Sequence, residues 1–370
     1  MKNLSVIGIG RLGLCLALVL ERKGYNVLGC DINKDYVESL NEKTFKTYER
    51  DVENFLLKSK NFKATTNLKE AIGHTDMIFV VVRTESEPDG RYDHSQVESV
   101  VGSLIVMGRQ EQQKHLVIAC NVSPGYTDTV NDRLKNLNWT VSFNPETVRQ
   151  GTILQDYMNP DCVYVGCDNE ITMRKLEEVH EAVSGLNVRI HFMDRISAEL
   201  TKVSLNCYLT TKISFANMVG DLALKIGADP EKVLHAVGSD TRIGAAYFKH
   251  GYGFGGPCFP RDNRAFVRCA KDNFMAYDLC EAADEINNKH LDFQVKSFIE
   301  NNDIRDTVEI GSVTFKKGTD SLEESQQLKF ALKLADYGYK VKVSETSRVI
   351  EKLKKEFGDL FIYEETNNNN

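Results

Sequence analysis

At 370 residues, 42% of them hydrophobic and 27% charged, the chain is ordinary globular material, long enough for two or three domains. A net charge of -7 leaves no basic footprint for nucleic acid, so an anionic ligand must be caught by local sites. Nine scattered cysteines without a CxxC pair, eight unclustered histidines and no membrane-length apolar run predict a cytoplasmic chain with reduced thiols, no metal and no membrane partner.

Residues 4–7 read as a short apolar strand running into Gly8-Ile9-Gly10-Arg11-Leu12-Gly13, and residues 14–20 as the helix that follows. In such a run Gly8 allows the turn, Gly10 lets a pyrophosphate approach the backbone, and Gly13 lets helix pack on strand. The helix N-terminus then faces the phosphates. A second strand over residues 26–30 ends in Asp31, 18 residues after Gly13, where a carboxylate can hydrogen-bond a ribose diol, with Lys34 close behind. The order of strand, glycines, helix, strand and acid predicts a Rossmann-like domain, and the acid favours NAD over its phosphorylated form.

Near-continuous apolar runs at 76–82 and 115–120 predict further buried parallel strands. Thr84 and Asn121 lie in the loops at their carboxyl ends, where they either hydrogen-bond cofactor or substrate or cap the next helix. Glu146, after Asn144-Pro145, can polarise water or take a proton, or it can simply solvate a surface. The longest helical pattern runs from about residue 196 to 226 and suggests a helix shared by two domains. Lys202 and Asn206 are four apart on one face of it, where the lysine can hold an oxyanion or snorkel to solvent.

Asp229-Pro230-Glu231 predicts a capped helix with proline at its first position. Arg242, Tyr247, Phe248 and Lys249 lead into Gly251-Tyr252-Gly253-Phe254-Gly255-Gly256-Pro257-Cys258-Phe259-Pro260-Arg261-Asp262. Its four glycines predict a close approach of backbone to a ligand. Cys258 is either a nucleophile stabilised by nearby positive charge and turn amides or a thiol held in a tight turn. Residues 274–300 read as helix, and 308–363 as a final α/β unit with Lys316 in its first loop. The asparagine run at 367–370 is expected to be disordered.

These segments together resemble the UDP-glucose 6-dehydrogenases, within the nucleotide-sugar dehydrogenases that oxidise an alcohol twice to a carboxylate. The resemblance rests on the GxGxxG run, Asn144-Pro145-Glu146, Lys202 with Asn206, Asp240-Thr241-Arg242-Ile243-Gly244 and, most specifically, Gly253 through Asp262. It implies an α/β fold: a Rossmann-like NAD-binding domain over 1–195, a long central helix and helical dimerisation region over 196–300, and a shortened Rossmann-like UDP-sugar domain over 301–370. It implies Gly8, Gly10, Arg11, Leu12, Gly13, Asp31, Lys34, Thr84 and Asn121 at NAD.

The resemblance further implies Cys258 as nucleophile, Lys202, Asn206 and an Asp262-held water at the first oxidation, and Glu146 near the hydrolytic water. It implies Glu146, Lys202, Asn206, Tyr247, Phe248, Lys249, Gly255 and Lys316 around a UDP-sugar. Arg242 would reach the sugar of a neighbouring subunit in a homodimer or higher homo-oligomer. The chain departs from the family pattern at Asn121, Gln150, Arg83, Glu85 and Glu323, where threonine, glutamate, prolines and arginine are usual. GDP-mannose or a UDP-N-acetylhexosamine therefore stays open as substrate, as does an inactive homologue that binds nucleotide sugar or partner proteins.

Overall fold

The first apolar run becomes strand β1 (Asn3–Ile7), and the glycine run turns it into helix α1 (Arg11–Arg22). The computed structural model describes residues 2–366, so the asparagine run at 367–370 lies outside the described residues. After α1 come β2 (Asn26–Cys30), α2 (Lys34–Asn41), α3 (Val52–Lys58), β3 (Phe62–Thr65), α4 (Leu68–His74) and β4 (Met77–Val80). The second half of the sheet is built from α5 (Ser95–Met107), β5 (Lys114–Ile118), α6 (Tyr126–Leu134), β6 (Trp139–Phe143), α7 (Ile153–Met158), β7 (Val163–Gly166), α8 (Glu170–Ser184) and β8 (Ile190–Met193).

The eight strands lie in the order β3-β2-β1-β4-β5-β6-β7-β8, and every neighbouring pair is parallel except β6 with β7. The first six positions have the doubly wound order of dinucleotide-binding sheets, with its reversal between β1 and β4. Alternation along each strand feeds two cores, one on each face. Val6 and Phe79 join Leu14 and Leu18 of α1, while Ile7 and Ile78 join Val97 and Leu104 of α5. Burial on both faces explains why these strands read as continuous apolar runs.

Helix α9 (Arg195–Ile226) is 32 residues long. The chain divides inside it, into a first unit that runs to Val203 and a second that begins at Ser204. Two buried charges tie its first turns to the first unit. Arg195 donates to Asp168 at 2.6 and 2.9 Å and to Asp128 at 2.5 Å, and Glu199 accepts the Gly125 and Thr127 amides at the start of α6.

The second unit continues with α10 (Pro230–Gly238), capped by Asp229 as expected, then α11 (Phe259–Asp272) and α12 (Asp278–Asn301). Its sheet is β11-β10-β9, all parallel, from β9 (Thr307–Ile310), β10 (Lys340–Glu345) and β11 (Ile362–Glu365), with α13 (Gln326–Asp336) and α14 (Ser347–Phe357) between them. The run after Cys258, to which the sequence reading gave no element, forms a helix, because Pro260 falls in its first turn where a missing amide is harmless. One local expectation is corrected. The next helix starts at Asp278 and not at 274, because Phe274 has φ of 56° and ends a turn. Among the described residues, no helix is long and apolar enough to cross a membrane.

Candidate active site

In the first unit the glycine turn stands where the strand order reverses. Gly8 has φ of 82°, and a Cβ there would lie 2.7 Å from the Val81 carbonyl oxygen. A Cβ on Gly13 would fall 2.0 Å from the Gly8 carbonyl oxygen. Gly10 differs: nothing lies within 4 Å of its Cβ position, and it forms the N-cap of α1 without a side-chain cap. As a glycine it offers no side-chain oxygen of its own to the first amides of α1, the end of a helix that suits an anion. The Tyr36 hydroxyl donates to the Ile9 carbonyl at 2.7 Å and fixes the turn.

Asp31 follows β2 and accepts the Asn33 amide at 3.0 Å, with Lys34 exposed at the start of α2. Arg11 opens α1 and donates to the Gln150 side chain at 2.7 Å, while Leu12 is half-buried against the α1 core. Thr84 is buried after β4, and Asn121 is half-buried after β5. A helix N-terminus, an open glycine and a carboxylate at the end of the neighbouring strand fit the pyrophosphate and ribose of a dinucleotide.

The same unit brings Glu146 within electrostatic reach of Lys202. Glu146 keeps part of its surface open, yet the protein around it pushes its carboxyl up to about 8, against the opposing pull of the Tyr157 hydroxyl and the Lys202 ammonium. Lys202 is buried on α9, and among the described residues it makes no hydrogen bond or salt bridge. Its charge is therefore available to a ligand oxygen.

In the second unit Cys258 is exposed and forms the N-cap of α11. Of the nine cysteines six are buried and Cys162 and Cys269 are half-buried, so Cys258 is the one that is exposed. One turn on, Asp262 is fully buried; it accepts Asn206 Nδ2 at 2.5 Å and Arg261 Nε at 3.0 Å. Asn263 beside it donates to the Cys280 carbonyl at 2.7 Å and accepts the Thr210 hydroxyl at 3.2 Å, which locks α11 against α9 and α12.

The loop before Cys258 is held by one face of α12. Asn287 accepts the Phe254 amide and donates to the Phe254 carbonyl, both at 2.9 Å, and Gln294 donates to the Gly251 carbonyl at 3.1 Å. A Cβ at Gly253 would meet Asn287 Oδ1 at 2.2 Å, and one at Gly255 would meet the Glu324 carbonyl oxygen at 2.2 Å. Gly256, with φ of 81°, lies against the Phe315 ring. Protein packing thus disfavours a side chain at these three positions by itself, besides any close approach to a ligand.

Residues 2–184 match the NAD binding domain of the UDP-glucose/GDP-mannose dehydrogenase family, and residues 196–289 match its central domain. The chain belongs to that family. A UDP-glucose 6-dehydrogenase of Rickettsia bellii is 28% identical over 348 residues, covering 92% of this chain and 80% of the relative. One from Bacillus subtilis is 28% identical over 346 residues, covering 90% and 77%. The structure of a UDP-glucose dehydrogenase from Pyrobaculum islandicum superposes with a TM-score of 0.90 at 32% identity, covering 99% of this chain and 86% of that one. At this level the protein is an NAD-dependent sugar-nucleotide dehydrogenase, and NAD is its cofactor.

Other residues that the family resemblance pointed to are dispersed over the second unit. Arg242 is exposed and paired with Asp240 at 2.7 Å. Tyr247 takes a positive φ of 59° and meets Phe259 edge-on, next to Cys258. The Phe248 ring is core, packed with Ala216 and Leu234, whereas Lys249 and Lys316 are exposed. The sequence reading missed Asn263 and Asn287, which hold α11 and the glycine loop in place. A signal for Asn287 existed: it interrupts the buried stripe Cys280, Ala283, Leu291 of α12. Asn263 carried none, since α11 itself was not foreseen.

Proposed function

We propose that the chain oxidises UDP-glucose to UDP-glucuronate in two NAD-dependent steps through a thioester on Cys258. The exposed thiol at the N-terminus of α11, alone among nine cysteines, carries the reading. Gly8, Gly10 and Gly13 with Arg11, Leu12, Asp31 and Lys34 would hold NAD, with Thr84 and Asn121 on its nicotinamide side. Bound NAD supplies the hydride acceptor for each oxidation.

The residues supply the rest. Lys202 and Asn206 steady the oxygen of the C6 alcohol as its proton passes to a water held by Asp262 and the C6 hydride is lost, which leaves the aldehyde. The Cys258 thiolate adds to the C6 aldehyde, and the hemithioacetal oxygen takes up a proton. Loss of hydride and that proton turns the adduct into a thioester. Water then attacks the thioester carbonyl, Glu146 accepts a proton from it, and the carboxylate leaves as the thiol is restored.

UDP-glucose is preferred because the named relatives above are UDP-glucose dehydrogenases and because Gly253 through Asp262 carries the resemblance to UDP-glucose 6-dehydrogenases most specifically. On this reading residues 1–195 carry the cofactor, 196–300 the thiol and 301–370 the UDP end through Lys316, with Tyr247, Phe248, Lys249 and Gly255 nearer the sugar. A homodimer is part of the proposal: Tyr208, Phe215 and Leu222, seven residues apart on α9, are 61%, 47% and 60% exposed, and Arg242 would serve the partner's sugar. Nine free thiols fit a reducing compartment, the cytoplasm.

The test is turnover of UDP-glucose with NAD, expected to give two NADH per UDP-glucuronate. GDP-mannose and UDP-N-acetylhexosamines run alongside would take the assignment if they turn over faster. No turnover of any sugar nucleotide by folded protein would leave the binding-only reading.

A further inference from the structure

Three side chains far apart in sequence meet in the second unit. Asp221 lies on α9, His250 stands immediately before the glycine loop, and His290 lies on α12. One ligand atom from each falls within 4.8 Å of the others. His250 Nε2 is 2.9 Å from Asp221 Oδ1, and His290 Nδ1 is 2.9 and 2.8 Å from the two oxygens of the same carboxylate. His290 is buried, while Asp221 and His250 keep 16% and 18% of their side chains open, enough to admit an ion.

The second nitrogen of His290 decides what this arrangement suits. Nε2 lies 2.5 Å from the Gly251 carbonyl oxygen, which can only accept. Nε2 therefore carries a hydrogen, and in the neutral ring Nδ1 presents a lone pair to the carboxylate lone pairs. Either a proton on Nδ1, which makes the ring an imidazolium paired with the carboxylate, or a metal cation must sit between them. A ring that donates one nitrogen to a backbone carbonyl and offers the other to a cation is the arrangement that orients histidine ligands in metal sites. The backbone also makes room for the second ring: a Cβ on Gly220 of α9 would lie 2.2 Å from His250 Cδ2. That glycine, in the middle of a helix, is what allows His250 to lie against Asp221.

We propose that Asp221, His250 and His290 bind one divalent cation of the zinc class. Two imidazole nitrogens and one carboxylate oxygen suit a borderline ion, and three protein ligands leave a fourth position for water. The ion joins α9 to α12 and, through His290 and Gly251, fixes the start of the loop that ends at Cys258. The role is structural: none of the three residues is assigned to substrate or NAD.

The experiment titrates the full chain, stripped of metal, with Zn2+ alone and with Co2+ alone. One equivalent is expected to bind, with a raised unfolding temperature and the visible d–d absorption of cobalt held by nitrogen and oxygen ligands. His290→Gln and Asp221→Asn should each lose that binding, and Cys258→Ser should keep it. Gly220→Ala, which leaves all three ligands in place, should weaken it by displacing His250, and so tests the site even if a ligand variant fails to fold. Absence of stoichiometric binding to the native chain overturns the proposal. So does a thiolate-to-cobalt charge-transfer band that disappears in Cys258→Ser, or binding that survives in both Asp221→Asn and Gly220→Ala.

Discussion

Asn206 Nδ2 donates to Asp262 Oδ2 across 2.5 Å, inside protein that buries both side chains. The pair couples α9 to the helix that Cys258 caps. Asn206→Ala leaves a buried carboxylate oxygen short of a donor, which costs about 1–3 kcal/mol of stability. Chemical denaturation should show that loss, together with slower turnover at unchanged NAD affinity. Full stability in Asn206→Ala would mean that Asp262 finds another partner.

Cys258→Ser removes the thiolate without changing the shape of the N-cap. Formation of the carboxylate product should fall by about a thousandfold or more, the scale of losing a nucleophile. Product analysis by mass spectrometry would detect it, with Cys162→Ser as a control on a half-buried thiol.

Gly13→Ala and Gly10→Ala separate folding from cofactor binding. At Gly13 the new methyl would stand 2.0 Å from backbone oxygen, and a loss of about 1–3 kcal/mol of stability is expected. At Gly10 the methyl meets no protein atom, so unfolding of the cofactor-free chain should be nearly unchanged while NAD affinity drops. Calorimetry and NAD titration on both variants would show the contrast.

Glu146 sets a pH dependence of known sign. Burial raises its carboxyl to about 8 in the folded chain, whereas the unfolded chain titrates near 4.5. Between these values the folded state keeps a proton that the unfolded state has lost, so this contribution to stability is full below 4.5 and is lost as pH rises towards 8. Glu146→Gln should flatten the slope of stability against pH in that window. As the base for hydrolysis, the deprotonated residue should also give a rate that rises towards pH 8, and the variant should lack that limb.

The sequence by itself determined the Rossmann-like sheet, the cofactor turn and the long helix, because each depends on local spacing. Gly8, Gly10 and Gly13 answer to one turn, Asp31 to the end of one strand, and the 3.6-residue period to one helix face. It also singled out Cys258 by the glycines before it.

Tertiary structure decided what depends on residues remote in the chain. Only folding sets Asn287 of α12 against Gly253, the Glu324 carbonyl against Gly255 and the Phe315 ring against Gly256, so these glycines answer to packing as well as to any ligand. Only folding buries Asp262 against Asn206, lifts the Glu146 carboxyl by enclosing it, and gathers Asp221, His250 and His290 around one point. Desolvation and close packing arise from neighbours across the fold, and no spacing within a segment records them.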